Sequence, residues 1–254
     1  MTTALPASLN SPVIQKTLDL TLFVPCLNEE KRVIPTIETI RDTLSDYRLT
    51  YEVLVVDDGS TDRTAEVVEE FQRTNPEVPI VFYRNPRNLG LSRSFVDAAF
   101  RGRGKYFRLV CGDNVDSKRS MQAVFNLLGH ADIIIPYYPI LPGKSHFRRL
   151  VSRAYTIIVD LLSGYHMHYY NGCALYRRYD VMRWASYNYG FGFQADLITK
   201  LLDEKATYLE VPLEGFHLTK DRGGSAVNMR NFLSTSHTLL EIFLRRMRRS
   251  FYGN

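Results

Sequence analysis

A chain of 254 residues, 45% apolar and with a net charge of +5, is long enough to bury a true core as one large α/β domain or one domain with an appended arm. Its three cysteines, Cys26, Cys111 and Cys173, are widely spaced, which argues against a disulfide framework or zinc site and for a reducing compartment. No apolar run approaches the ~20 residues that span a bilayer, and Met1 to Ser11 is polar without a signal-peptide core, so the expected state is soluble or peripheral.

In chain order, Leu18 to Cys26 reads as a strand, followed by Leu27-Asn28-Glu29-Glu30 and a helix over 29–44 whose acidic start suits the positive end of its dipole. Tyr51 to Val56 is a Val-rich strand that runs into Asp57-Asp58-Gly59-Ser60-Thr61-Asp62. Ser60 or Thr61 is the expected N-cap of a helix over 63–71. Strand, carboxylate-bearing turn and helix in that order put ligand-binding groups at the carboxyl edge of a parallel sheet. A strand over 78–83, turn chemistry over 85–90 and a helix over 91–101 follow. A strand over 104–111 then ends in Gly112-Asp113-Asn114-Val115-Asp116, before a helix over 118–128 and a strand over 131–136. This alternation predicts a mostly parallel sheet with right-handed crossovers.

Beyond Pro136 the pattern changes. An aromatic, Pro/Gly-containing stretch leads into a basic amphipathic helix over 147–163. Then come an irregular segment, a short strand over 173–176, a short helix over 178–185, a helix over 197–202 and a strand over 206–212. A polar loop over 214–225 and a final amphipathic helix over 229–249 complete the chain. Positive charge gathers at Arg148, Arg149 and Arg153, at Arg177 and Arg178, and at Arg245, Arg246, Arg248 and Arg249. Such clusters suit a nucleotide diphosphate, a phospholipid surface or nucleic acid, with solvated helix faces as the plain alternative. The helices 147–163 and 239–249 set Phe, Leu and Ile beside arginines, a composition that suits lying on an anionic membrane surface.

Four segments taken together resemble successive landmarks of the inverting, family-2-type glycosyltransferases with the GT-A fold. They are Phe23-Val-Pro-Cys-Leu-Asn-Glu-Glu30, Val55-Val-Asp-Asp-Gly-Ser-Thr-Asp62, Asn85-Pro-Arg-Asn-Leu-Gly90 and Val110-Cys-Gly-Asp-Asn114. The similarity runs from about Leu20 to Arg246. Within the family the chain looks most like polyprenyl-phosphate sugar transferases of the dolichyl-phosphate mannose synthase kind, through Arg148-Arg-Leu-Val-Ser-Arg153, Gly172 to Arg178, Leu209-Glu-Val-Pro-Leu213 and Arg222-Gly-Gly-Ser225. The resemblance implies an α/β, Rossmann-like, mostly parallel sheet flanked by helices, with a C-terminal acceptor-side helical extension. Its expected divisions are a flexible segment 1–17, a GT-A domain 18–228 (nucleotide-sugar half 18–136, acceptor half 137–228), and an amphipathic helix and tail 229–254.

What the resemblance implies for the site follows residue by residue. The nucleotide sugar falls to Pro25, Leu27, Asn28, Glu29, Asp57, Asp58, Ser60, Gly90, Asp113 and Asn114, and a Mg2+ or Mn2+ ion to Asp113 with Asp116. The family's D-x-D pattern reads Cys111-Gly112-Asp113 here, and a thiol is a poor ligand for those hard cations. Negative charge grows on the departing diphosphate, so Lys220 and Arg222, in a Gly-rich loop, are the expected catalytic cations. Asp196 is the expected base if the acceptor is a hydroxyl. A lipid phosphate needs no base but does need positive charge from Arg148, Arg153 and Arg177, with Gln194 and Ser225 also on the acceptor side.

The expected function is inverting transfer to a polyprenyl phosphate. Transfer to a hydroxyl of a glycan or small molecule is the alternative, and a non-catalytic nucleotide-sugar-binding protein a further one. A nucleotidyltransferase is discounted because Pro25 to Asn28 holds no glycine, and an RNA-binding domain because carboxylates crowd the strand ends. The expected location is the cytoplasm, free or at the inner face of the membrane.

Overall fold

The structure, a computed structural model, describes residues 17–139, 146–185, 190, 192–213 and 229–252. Residues 1–16 of the expected N-terminal segment and the loop 214–225 lie outside the described residues. The strands are β1 (Leu18–Cys26), β2 (Tyr51–Asp57), β3 (Ile80–Arg84), β4 (Gly104–Leu109), β5 (Ile133–Tyr137), β6 (Leu175–Arg177) and β7 (Tyr208–Pro212), joined in one sheet in the order β3-β2-β1-β4-β6-β5-β7. All pairings are parallel except those of β6, which runs antiparallel between β4 and β5.

Eight helices cover the two faces among the described residues: α1 (Val33–Leu44), α2 (Thr64–Thr74), α3 (Leu91–Arg101), α4 (Lys118–Phe125), α5 (His146–Ser163), α6 (Arg178–Arg183), α7 (Phe193–Asp203) and α8 (Met229–Tyr252). Successive strand residues point to opposite faces, and the central strands are apolar on both. Leu20, Leu22 and Val24 of β1 join Val53 and Val55 of β2 against Ile37 of α1, Val68 of α2 and Met121 of α4. Phe23, Leu54, Val56 and Phe107 face the other way, onto Phe95 of α3, Val159 of α5, the apolar side of α7 and Ile242 of α8. In that second layer Phe95 meets Phe107 and Phe193 with centroids 5.1 and 5.0 Å apart. Each such ring contributes roughly 1.5–3 kcal/mol by leaving water. Burial on both faces explains why β1 and β2 read as continuous rather than alternating apolar runs.

Two local expectations are corrected. α1 begins at Val33, not residue 29, because the N–H groups of Glu29 and Glu30 donate to Thr64 Oγ1 (2.8 Å) and Asp62 Oδ2 (3.2 Å) and hold residues 29–32 as a turn. Neither Ser60 nor Thr61 caps α2. Asp62 Oδ1 accepts from the Thr64 N–H at 3.0 Å, while Ser60 Oγ accepts from the Asn28 N–H at 2.9 Å.

Candidate active site at the carboxyl edge of the sheet

The ends of β1, β2 and β4 converge. Cys26 is in register with Asp57, and the Val110 N–H donates to Phe23 O at 2.9 Å. A Cβ on Gly112 would lie only 2.6 Å from Pro25 O, so the turn carrying Asp113 is pressed against the β1 end and tolerates no side chain there. Cys26 sits between the acids. Burial raises its thiol pKa, and Asp57, Asp62 and Asp113 add to the effect. Asp57 and Asp113 are thus on the same edge, on either side of one cysteine.

The neighbouring acids Asp57 and Asp58 do different things. Asp58 accepts from the Leu89 N–H (3.0 Å) and Gly90 N–H (2.9 Å), from Asn85 Nδ2 (2.7 Å) and from Ser94 Oγ (3.1 Å). These bonds tie the 85–90 turn and the start of α3 to the sheet. Asp57 is fully buried. Its Oδ1 accepts from the Ser60 N–H at 2.8 Å, and its Oδ2 lies 3.2 Å from Arg84 Nε without hydrogen-bond geometry. Among the described residues, Oδ2 is a buried oxygen with an ion-pair partner, Arg84, but no hydrogen bond. Arg84, half exposed and also donating to Ser60 O at 3.2 Å, lies over this carboxylate. Its only trace in the sequence is a charge at the end of an apolar strand.

The surrounding loops are pinned to one another. Asn28, at φ 58°, accepts at Oδ1 from the Thr61 N–H at 2.9 Å, opposite the bond from its own N–H to Ser60. Gly59 has φ +83°, and a Cβ there would lie 2.7 Å from the Arg87 carbonyl carbon, so only glycine fits. Asn114 (φ 56°) accepts from Thr39 Oγ1 at 3.1 Å. Glu29 is buried with Arg32 Nη1 3.5 Å away. Pro25 is half-buried and Leu27 43% exposed, an apolar margin beside the acids.

Burial raises the carboxyl pKa of Asp113, and the nearby Asp116 carboxylate raises it further, against backbone hydrogen bonds and Arg32. Asp116 itself has a protein counter-ion: Arg108 Nη2 at 3.3 Å, with Tyr138 OH donating at 3.3 Å. Arg108 is fully buried inside β4, gives Nε to Cys173 O at 3.1 Å and lies over the Phe125 ring. Asp116 is therefore a weaker metal ligand than its position in the sequence suggests. Among the described residues no three His, Cys, Asp or Glu side chains gather as a protein-only cation cage. The site fits a cation held by Asp113 and completed by diphosphate oxygens and water, since Mg2+ is commonly bound by one or two carboxylates plus substrate phosphates. Cys111 faces Cys173, Sγ to Sγ 3.8 Å, rather than a cation.

On the acceptor side, Gln194 and Asp196 are buried in the first turns of α7. Asp196 is ion-paired at both oxygens, with Lys200 Nζ and Arg245 Nη1 each at 2.7 Å. Burial opposes its ionisation, yet Lys200 and Arg245 outweigh burial and hold its carboxyl below the ordinary value. Arg153 is exposed on α5. Arg177 lies at the other end of the sheet. It pairs with Tyr106 near the start of β4 and forms an ion pair with Asp132 ahead of β5, at the amino edge of the sheet, away from Asp57 and Asp113. The antiparallel direction of β6 puts it there. Lys220, Arg222, Ser225 and the side chain of Arg148 lie outside the described residues.

Residues 21–184 match the family model described as "Glycosyl transferase family 2". A dodecaprenyl-phosphate galacturonate synthase of Rhizobium johnstonii is 26% identical over 169 residues, 65% of this chain and 48% of that protein. A dolichyl-phosphate beta-glucosyltransferase of Trichomonas vaginalis is 32% identical over 98 residues, 37% of this chain and 28% of that protein. The chain thus spans less than half the length of either relative. Among solved structures, a mannosyltransferase from Pyrobaculum calidifontis in complex with GDP-Man and Mn2+ superposes with a TM-score of 0.63 at 15% identity, covering 92% of this chain and 65% of that one. Glucosyl-3-phosphoglycerate synthase from Mycobacterium tuberculosis in complex with UDP gives 0.65 at 18%, covering 89% and 80%. These likenesses match the GT-A architecture expected from the sequence. With about two thirds of its length matched by the family model, the chain belongs to glycosyl transferase family 2.

Proposed function

We propose that the chain transfers a sugar from a nucleoside-diphosphate sugar, with inversion at the anomeric carbon, to a polyprenyl phosphate. The observation that carries this reading is the convergence of Asp57 and Asp113 on either side of Cys26 at one sheet edge. Asp57 Oδ2, the buried acceptor beneath Arg84, suits a base N–H. Asp113 suits the diphosphate end through a Mg2+ or Mn2+ ion, which when bound offsets the charge gathering on the leaving group. A phosphate oxygen of the acceptor then forms its bond to the anomeric carbon from the face opposite the departing diphosphate, and the bond from that carbon to the diphosphate breaks. The nucleoside diphosphate takes the electron pair, and no proton needs to be removed from an anionic acceptor.

The state of Asp196 favours a phosphate over a hydroxyl acceptor: a carboxylate held by two cations and depressed in pKa is a poor base. Relatives named for dolichyl and dodecaprenyl phosphates lend the same support. The natural setting of such a reaction is the inner membrane face reached from the cytoplasm.

The test is transfer from UDP- and GDP-sugars by wild type and Asp196→Asn, with a polyprenyl phosphate and with hydroxyl acceptors. Loss of a general base costs about 10²–10⁴-fold. Asp196→Asn is expected to spare turnover with the lipid phosphate and to lower the melting temperature, since Lys200 and Arg245 lose a buried partner. Because the folded pKa is depressed, that stabilisation is full above the ordinary aspartate value of 3.8 and lost as pH falls through the folded value. The stability gap between the two proteins should therefore close in acid. A 10²-fold fall in turnover with intact stability would instead make Asp196 the base of a hydroxyl transferase.

A further inference from the structure

α5 and α8 lie side by side, with Arg246 Nη1 donating to Leu161 O at 2.7 Å. Each turns a narrow side inward: Thr156 and Val159 of α5, Thr238 and Ile242 of α8. α8 is fixed there by ions. Arg245 Nε reaches Asp203 Oδ2 at 2.9 Å, Arg249 also pairs with Asp203, and Tyr165 OH donates to the same carboxylate at 3.0 Å. The outward sides of both helices are apolar. On α5, Leu150, Ile157 and Leu161 recur at helical spacing, with Leu150 65% and Leu161 72% exposed; on α8, Leu240, Phe243 and Met247 do the same. Such spacing makes one stripe per helix, on two helices that lie side by side. An apolar face this extended is uncommon on a protein surrounded by water and marks a contact surface.

Charge identifies the occupant. Arg149, Arg153, Arg246, Arg248 and Arg249 are exposed on these two helices, against Glu241 as the exposed acid of α8. Aliphatic and aromatic side chains bordered by arginines fit the headgroup boundary of an anionic bilayer. A second copy of the chain would set the same arginines against each other. No helix of the described residues is long and apolar enough to cross a membrane, so the contact lies in the plane of the surface. We propose that the outer face of α5 and α8 docks on an anionic lipid bilayer. The proposal deepens the lipid-phosphate reading by naming the surface through which the protein meets its acceptor's membrane.

The test is co-sedimentation of the full chain with phosphatidylcholine vesicles, with and without phosphatidylglycerol. Binding is expected only to the anionic vesicles, weakening as salt rises. Leu150→Ser with Leu161→Ser, at exposed positions, and separately Arg149→Glu with Arg248→Glu, should each reduce it by about tenfold or more. Two outcomes overturn the proposal: no sedimentation with anionic vesicles, or a concentration-dependent dimer in analytical ultracentrifugation that the serine pair abolishes. Turnover with a short, water-soluble prenyl phosphate in the absence of vesicles keeps the two readings apart. If both wild type and the serine pair turn over normally there, failure of vesicle binding sinks the docking surface alone. If neither transfers sugar to any acceptor, it is the proposed function that fails.

Discussion

Replacing Asp113 by asparagine is expected to cost about 10²–10³-fold in turnover, the scale for removing one preorganised electrostatic contact to a transition state, while leaving the fold as stable as before or more so. The two effects have one cause. Burial, and then Asp116, raise the Asp113 carboxyl above its ordinary value of 3.8, so the charged form is what the fold resists. A carboxyl with a raised folded pKa contributes its stability below the unfolded value and loses it as pH climbs through the folded one. At neutral pH, Asp113→Asn removes that penalty, and its advantage in melting temperature should shrink as pH falls through the raised folded value and vanish below 3.8. The charge is kept because a cation on the donor diphosphate needs it. Thermal melts across pH beside steady-state kinetics check both halves, and a variant both inactive and destabilised at neutral pH contradicts this account.

Asp58→Ala is expected to do the reverse. Four donors from the 85–90 turn and Ser94 converge on this carboxylate, and deleting it strands several of them out of water. Breaking a buried network of this kind costs roughly 3–5 kcal/mol, a drop on the order of 10 °C in melting temperature for a chain of this size. Donor affinity measured well below the new melting point should fall less than in an Asp57 variant. An Asp58→Ala protein that melts like wild type but no longer binds donor would return Asp58 to the nucleotide.

Side by side in the sequence, Asp57 and Asp58 are indistinguishable as carboxylates ending an apolar strand. What separates them is the chain that arrives later: Gly90 and Ser94 close on one, Arg84 and Ser60 on the other. The alternating first half was legible because each strand and helix carries its own apolar period, and the order of turns fixes which ends meet. The direction of β6 was not. Three residues, Leu175 to Arg177, hold no local signal for antiparallel pairing, which β4 and β5 impose from either side, and that direction carries Arg177 to the amino edge. Arg108 was also beyond reach, since a guanidinium inside a strand has meaning only once Asp116 and Cys173 are folded against it. The outward stripes on α5 and α8 were visible as composition, but which side of each helix stays uncovered is decided by α7 and the sheet.

The most direct measurement is titration calorimetry of UDP and GDP against the whole chain, with and without Mn2+, for wild type and Asp57→Asn. One nucleoside diphosphate is expected to bind wild type with an affinity that Mn2+ strengthens, and Asp57→Asn to weaken binding about tenfold or more through the loss of one charge-assisted hydrogen bond. Heats that are absent for both nucleotides in the presence of Mn2+, or that remain unchanged in Asp57→Asn, would contradict this expectation.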